Sequence, residues 1–124
     1  MTRPYDETNV FARILRGEIP ARVVHETEHA LAFHDVRPQA PVHVLVIPRG
    51  PYVDLADFAA NAPAAEAAGF LACVAECVRL LGLEENGFRA IANAGAHGHQ
   101  EVPHFHLHLL GGRPVGPMLA RAGD

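Results

Sequence analysis

The stretch that decides how this chain is read is Glu101-Val-Pro-His-Phe-His-Leu-His-Leu-Leu-Gly-Gly-Arg-Pro114, with histidine at positions 104, 106 and 108. Extended side chains alternate faces with a period of two. His104, His106 and His108 therefore share one side, and Phe105, Leu107 and Leu109 the other. The apolar side can be buried against a core, which leaves three imidazoles, roughly 6.5–7 Å apart at Cα, to line a cavity or groove. Imidazole titrates near neutrality, so neighbouring rings can act as nucleophile, proton donor and charge stabiliser at one pH. Spacing alone leaves three readings open. The central His106 could attack phosphorus while its neighbours steady oxygens, the histidines could hold zinc with a further histidine or carboxylate, or the row could be structural.

Just upstream, Gly87 to Asn93 reads as a strand, and Ala94 to Glu101 as the loop that returns to the histidines. Gly95 and Gly98 in that loop can bring backbone N–H groups close to an anion, or simply form a turn. Asn93 at the strand end is equally a turn former or a ligand donor, and His97 and His99 are expected to face solvent. Further back, Val23–Glu26 and Ala30–Phe33 read as two strands around a charged turn, with His25 and His29 solvated at its edges. His34 to Pro41 is kept irregular by two prolines, and Asp35 stands where a strand gives way to a loop, a common place for a binding carboxylate. His43–Ile47 is an almost continuous apolar run, expected of a central strand covered on both faces. His43 at its entrance is either a hydrogen-bonded core residue or a fourth imidazole beside the row.

The helices are read from caps and period. Asp6 to Asn9 offer capping groups before Val10, Phe11, Ile14 and Leu15, and Gly17 and Pro20 end that short helix. Asp54 to Phe58 has room for one helical turn. The longest helix is expected from about Asn61 or Ala62 to Leu81, with an apolar stripe of Phe70, Leu71, Val74, Cys77, Val78 and Leu81. Glu66, Glu76 and Arg79 fall outside the stripe and read as solvated. Gly69 within it suggests close approach of another backbone, since glycine in a helix costs up to about 1 kcal/mol relative to alanine. Cys73 and Cys77 lie four apart on one helical face, a poor geometry for a disulfide, and read as buried thiols.

Length and charge set outer bounds. With 124 residues the chain is one domain, its core about 9–113 with a short N-terminal arm and a tail at 114–124 that docks elsewhere. Its 49% hydrophobic content includes no run long enough to span a bilayer, and its start lacks a basic-then-apolar leader. No membrane association is expected, and the expected location is the cytoplasm. A net charge of −4 argues against a general nucleic-acid binder while permitting a single nucleotide. The order of elements implies an α+β fold, an antiparallel sheet of about five strands with one long and one short helix.

Several segments, in order, carry a family resemblance: FARILRGEIPA, ALAFHDVRPQAPVHVLVIPRG, FRAIANAG and HFHLHLLGGR. The chain resembles the histidine triad (HIT) superfamily, specifically its Hint branch, from about Asn9 to Arg113. The resemblance implies a HIT-like nucleotide-binding domain whose sheet extends across a homodimer, and it favours phosphoryl chemistry over metal. It implies hydrolysis of purine nucleoside 5′-monophosphoramidates, AMP or GMP bonded to an amine, and of related acyl-adenylates, with no cofactor and no metal. By the same resemblance His106 is the nucleophile, His108 and His104 its flanking members, and His43 the fourth histidine. Asp35 matches the carboxylate on the ribose hydroxyls. Asn93 and the backbone amides from His99 to Glu101 match α-phosphate contacts, and Val10, Phe11, Ile14, Phe33, Val36 and Leu45 match the walls of the base pocket. The residue chemistry agrees, because a carboxylate accepts from two hydroxyls but repels a phosphate. Glu101 departs from the serine that relatives often place beside the leaving group, and the tail lacks the aromatic ending of some. Two alternatives stand beside the phosphoramidase: a dinucleoside polyphosphate hydrolase of the same superfamily, and a zinc-binding or scaffolding protein.

Overall fold

A computed structural model describes residues 4–119. Five strands, β1 Val23–Glu26, β2 Ala30–His34, β3 Val42–Pro48, β4 Arg89–Ile91 and β5 Leu107–Gly111, form one antiparallel sheet in the order β1-β2-β3-β5-β4. The apolar run around β3 is its centre, as its two-sided hydrophobicity implies. Three helices accompany the sheet: α1 Val10–Leu15, α2 Leu55–Asn61 and α3 Ala64–Leu80. The expectation of one long and one short helix is thus one helix short. Asp54 caps a full α2 by accepting from the Asp57 N–H at 2.9 Å, and Pro63, extended at φ −58° and ψ 151°, separates α2 from α3.

Alternation along the strands divides the interior in two. Ala30, Ala32, Val44, Val46, Phe105 and Leu109 face α3, where they meet Phe58, Phe70, Cys73, Cys77 and Val78. Leu31, Phe33, Leu45 and Ile47 face the other way and are closed by Phe11 of α1. The stripe of α3 runs through Cys73 rather than Leu71, which is 64% exposed, so one expected core position faces solvent. Both cysteines are free and buried, as expected. Gly69 makes room for a side chain and not for backbone: a Cβ there would lie 2.4 Å from Cδ2 of His29, which is therefore half-covered by α3 and not a solvated turn residue. Glu66 is likewise engaged, accepting a hydrogen bond from the Tyr52 hydroxyl.

The strands nearest the histidines are shorter than expected. β4 covers Arg89–Ile91 and not Gly87 to Asn93, and β5 begins at Leu107, so His104 to His106 precede the ladder. That segment is held instead by the His104 N–H on Val102 O and the Phe105 N–H on Tyr52 O, each 2.8 Å. The described part of the tail folds back onto the sheet edge, where the Arg89 guanidinium donates to the carbonyls of Val115, Gly116 and Pro117. Residues 120–124 of the expected tail lie outside the described residues. No helix among the described residues is long and apolar enough to cross a membrane.

Candidate active site

Register brings the fourth histidine to the row. His43 pairs with Leu110 and Leu45 with His108, so His43 and His108 are diagonal neighbours on one face of adjacent strands. Their rings meet with Nε2 of His43 2.9 Å from Nδ1 of His108. Asp35 continues the β2–β3 ladder through its N–H on the His43 carbonyl, 2.9 Å, which sets its side chain beside the same ring: Oδ2 lies 3.3 Å from His43 Nε2. The Arg37 N–H holds the other carboxylate oxygen at 2.8 Å.

The partners assign the tautomers, because backbone N–H groups only donate and carbonyls only accept. The Gln39 N–H donates to His43 Nδ1 at 3.0 Å, so the neutral ring carries its proton on Nε2 and offers it to His108 Nδ1. His108 in turn carries its proton on Nε2. His106 Nδ1 lies 2.8 Å from the backbone carbonyl of His104 and must donate, which leaves the lone pair on Nε2. His104 Nε2 donates to the Pro48 carbonyl at 2.8 Å, and its Nδ1 accepts from the Tyr5 hydroxyl at 2.6 Å.

Burial keeps all four rings neutral. His104 and His108 are pushed down to about 4, mainly by burial, with the neighbouring His106 ring contributing at both and the His43 ring at His108. Burial lowers His106 and His43 as well, opposed at His106 by the bond to the His104 carbonyl and at His43 by the Asp35 carboxylate. Neutral rings are what a nitrogen nucleophile needs.

His106 and His108 line an open cavity of about 1220 Å³, which also takes in Asp35, Asn93, His99 and Glu101 together with Val10, Phe11, Ile14, Phe33, Val36 and Leu45. Every side chain expected at a nucleotide thus lines one cavity, whereas Gln100, whose amide was expected at the phosphate, does not. Val36, 93% exposed, forms its rim, and Phe11 stands edge-on to His106 with ring centres 4.9 Å apart. His43 and His104 stand behind this wall. His104 is fully buried with both ring nitrogens bonded, so it reaches the cavity through its carbonyl on His106 and not by a substrate contact of its own.

The loop before the row is tightly wound. The His99 and Gln100 N–H groups bond the Ala96 and Gly95 carbonyls at 3.1 and 3.0 Å, so an anion reaching those two amides has to displace these bonds. Gly98 is required, since a Cβ would lie 2.6 Å from Ala94 O, and His99 sits at φ +58°, where side chains are uncommon. His99 and Glu101 pair at 3.0 Å in solvent at the cavity wall.

Asp35, His43 and His108 are close enough together to suggest a metal site. Its chemistry does not fit. A metal on His43 Nε2 requires the proton on Nδ1, which would then face the Gln39 N–H, donor against donor. Sequence reading missed Tyr5, Gln39 and the two cavity-lining arginines, Arg22 and Arg37. Arg37 could have been noticed beside Asp35, whereas nothing local marks the backbone N–H of Gln39 or a tyrosine 99 residues from its partner.

The HIT domain family matches residues 16–115. A 13.2 kDa HIT-like protein of Azospirillum brasilense is 56% identical over 121 residues, covering 98% of this chain and 99% of its own length. The purine nucleoside phosphoramidase of Escherichia coli K12 is 43% identical over 118 residues, 94% of this chain and 98% of its own. Among solved structures, a HIT family hydrolase from Clostridium thermocellum superposes with a TM-score of 0.83 at 34% identity, over 93% of this chain and 99% of the other.

Proposed function

This chain belongs to the HIT domain family, and from that premise we propose that it hydrolyses purine nucleoside 5′-monophosphoramidates through a nucleotide bonded to His106. The observation that carries the reading is the 2.8 Å bond from His106 Nδ1–H to the His104 carbonyl, which leaves the Nε2 lone pair of a cavity-lining ring as the nucleophile. Nε2 attacks phosphorus, the P–N bond to the substrate amine breaks, and the amine leaves with a proton taken from solvent water at the open mouth beside His99 and Glu101. As His106 becomes cationic, its Nδ1–H bond to the carbonyl strengthens. His108, its Nδ1 occupied by His43, presents Nε2–H to a phosphoryl oxygen where charge accumulates. Water then attacks phosphorus from the vacated side and gives up a proton to the solvent at the cavity mouth, the bond to His106 breaks, and its electron pair returns to Nε2.

The rest of the cavity supports a nucleotide. Phe11, Ile14, Phe33 and Leu45 with the exposed Val10 and Val36 offer an apolar slot for a purine, and Asp35, beside His43, accepts from ribose hydroxyls. Apolar walls discriminate weakly between bases, so adenine and guanine are both accommodated. Glu101 stands on the leaving-group side and tunes the amine rather than the nucleotide. β4 lies at the sheet edge beside the 44% exposed Phe88, which supports pairing with a second copy in a homodimer, measurable by light scattering.

The test is intact-protein mass spectrometry during turnover of an AMP-amine conjugate. A nucleotidyl adduct mapping to His106, absent in His106→Ala, is expected; turnover without an adduct, or retained in His106→Ala, would reject the reading. Competing a dinucleoside polyphosphate in the same assay separates the two hydrolase activities.

A further inference from the structure

We propose that Tyr5, in the arm ahead of α1, is a positioning residue for the reactive ring: its hydroxyl fixes His104, and the His104 carbonyl fixes His106. This rests on the reading of His106 as nucleophile. The chain of contacts is continuous. The Tyr5 hydroxyl lies 2.6 Å from His104 Nδ1, the opposite nitrogen donates to Pro48 O at 2.8 Å, and the His104 carbonyl accepts from His106 Nδ1 at 2.8 Å.

Each link is forced by burial. His104 is wholly shielded from water, so its Nδ1 lone pair has no solvent to turn to once Nε2 is committed to Pro48. Tyr5 fills that role edge-on, with ring centres 5.6 Å apart, and Phe11 also stands edge-on to the same imidazole at 6.3 Å. β5 begins only at Leu107, so the His104–Phe105 peptide is held from one side by the Phe105 N–H on Tyr52 O at 2.8 Å, and the pinned His104 side chain fixes it from the other.

The arm is built to hold Tyr5 in place. The Asp6 carbonyl accepts from the Asn9 N–H and side-chain amide at 3.2 and 2.7 Å, the Asp6 carboxylate accepts from the Thr8 N–H at 2.9 Å, and Asn9 caps α1 through the Ala12 N–H at 2.9 Å.

The experiment compares the full chain with Tyr5→Phe, which removes one oxygen and keeps the ring. In 15N spectra of the imidazoles, wild type should show His104 with its proton on Nε2, and the variant should keep that tautomer but show the His104 Nδ1 signal shifted by loss of its hydrogen bond and the His106 Nδ1–H signal displaced. With an AMP-amine conjugate, kcat should fall about tenfold while KM stays within about twofold, because geometry and not binding is lost. A merely structural Tyr5 would lower the melting temperature and leave kcat and the His106 signal alone, which overturns the proposal. Should wild type itself fail to turn over the conjugate, the functional reading falls, and the His106 signal alone then decides the positioning role: displacement upholds it, an unchanged signal rejects it.

Discussion

On the α3 side of the sheet, Val44, Val46, Phe105 and Leu109 are closed by carbon, with Phe58 and Phe70 forming an aromatic cluster against Phe105 at ring separations of 5.1 Å. One residue out of phase on the same strands, His43, Leu45, His106 and His108 face the other way, where apolar cover gives out and imidazoles line a cavity. A period of two thus separates what holds the protein from what it does by a single step along the chain. The α3 face is set by volume and burial, and the opposite face by hydrogen-bond direction, so the two respond to substitution in different currencies.

The sharpest test of that separation is His106→Asn. Loss of the nucleophile should reduce turnover of an AMP-amine conjugate by roughly 10⁴–10⁶-fold. An amide can still donate to the His104 carbonyl, so the melting temperature should stay near that of wild type. A large drop in melting temperature would show that the histidine face is a stability element after all. Phe70→Ala is the mirror experiment. Removing a buried ring at the centre of the aromatic cluster should cost about 3–5 kcal/mol in denaturant unfolding, with turnover per folded molecule unchanged. His43→Ala lies between the two. It touches no substrate in this reading, yet it strips His108 Nδ1 of its donor, so kcat should fall about 10²-fold and unfolding free energy by about 1–3 kcal/mol. An additive His43→Ala, His108→Ala pair would break the idea that His43 acts through His108.

The carbon face was the more legible of the two. Apolar runs, prolines and alternation place the hairpin, the central strand, the long helix and the free thiols, because burial follows residue type position by position. Leu71 is the exception that fits the rule: Leu71 and Cys73, two residues apart and so on nearly opposite helix faces, cannot be ranked by hydrophobicity when the choice depends on where α3 lies on the sheet. The second helix was underestimated because a short helix rests on its Asp54 cap and its docking more than on periodicity. On the histidine face, which residues gather was readable and their wiring was not. His43 could be suspected, but that Gln39 N–H sets its tautomer, that His104 works through its carbonyl, and that Tyr5 completes it are consequences of tertiary geometry with no local signature.

The smallest effect should come from acid. The imidazoles of the unfolded chain titrate near 6.5, and burial holds His104 and His108 at about 4 in the folded state. Between those values the unfolded chain binds more protons, so stability rises with pH across the window and is lost as pH falls from 6.5 toward 4, while below 4 these rings add no slope. The thiols buried under α3 add nothing there, because a thiol ordinarily titrates near 9 and their mutual hydrogen bond moves Cys73 down and Cys77 up from that value. Carboxylates enter mostly below 4.5, so melting temperatures read between about pH 5 and 6.5 isolate the histidine face. The gradient in that interval should shrink by about one proton in His108→Gln and stay unchanged in Val46→Ala. An equal gradient in both variants would place the acid sensitivity elsewhere, and the division of labour between the two faces would lose its electrostatic half.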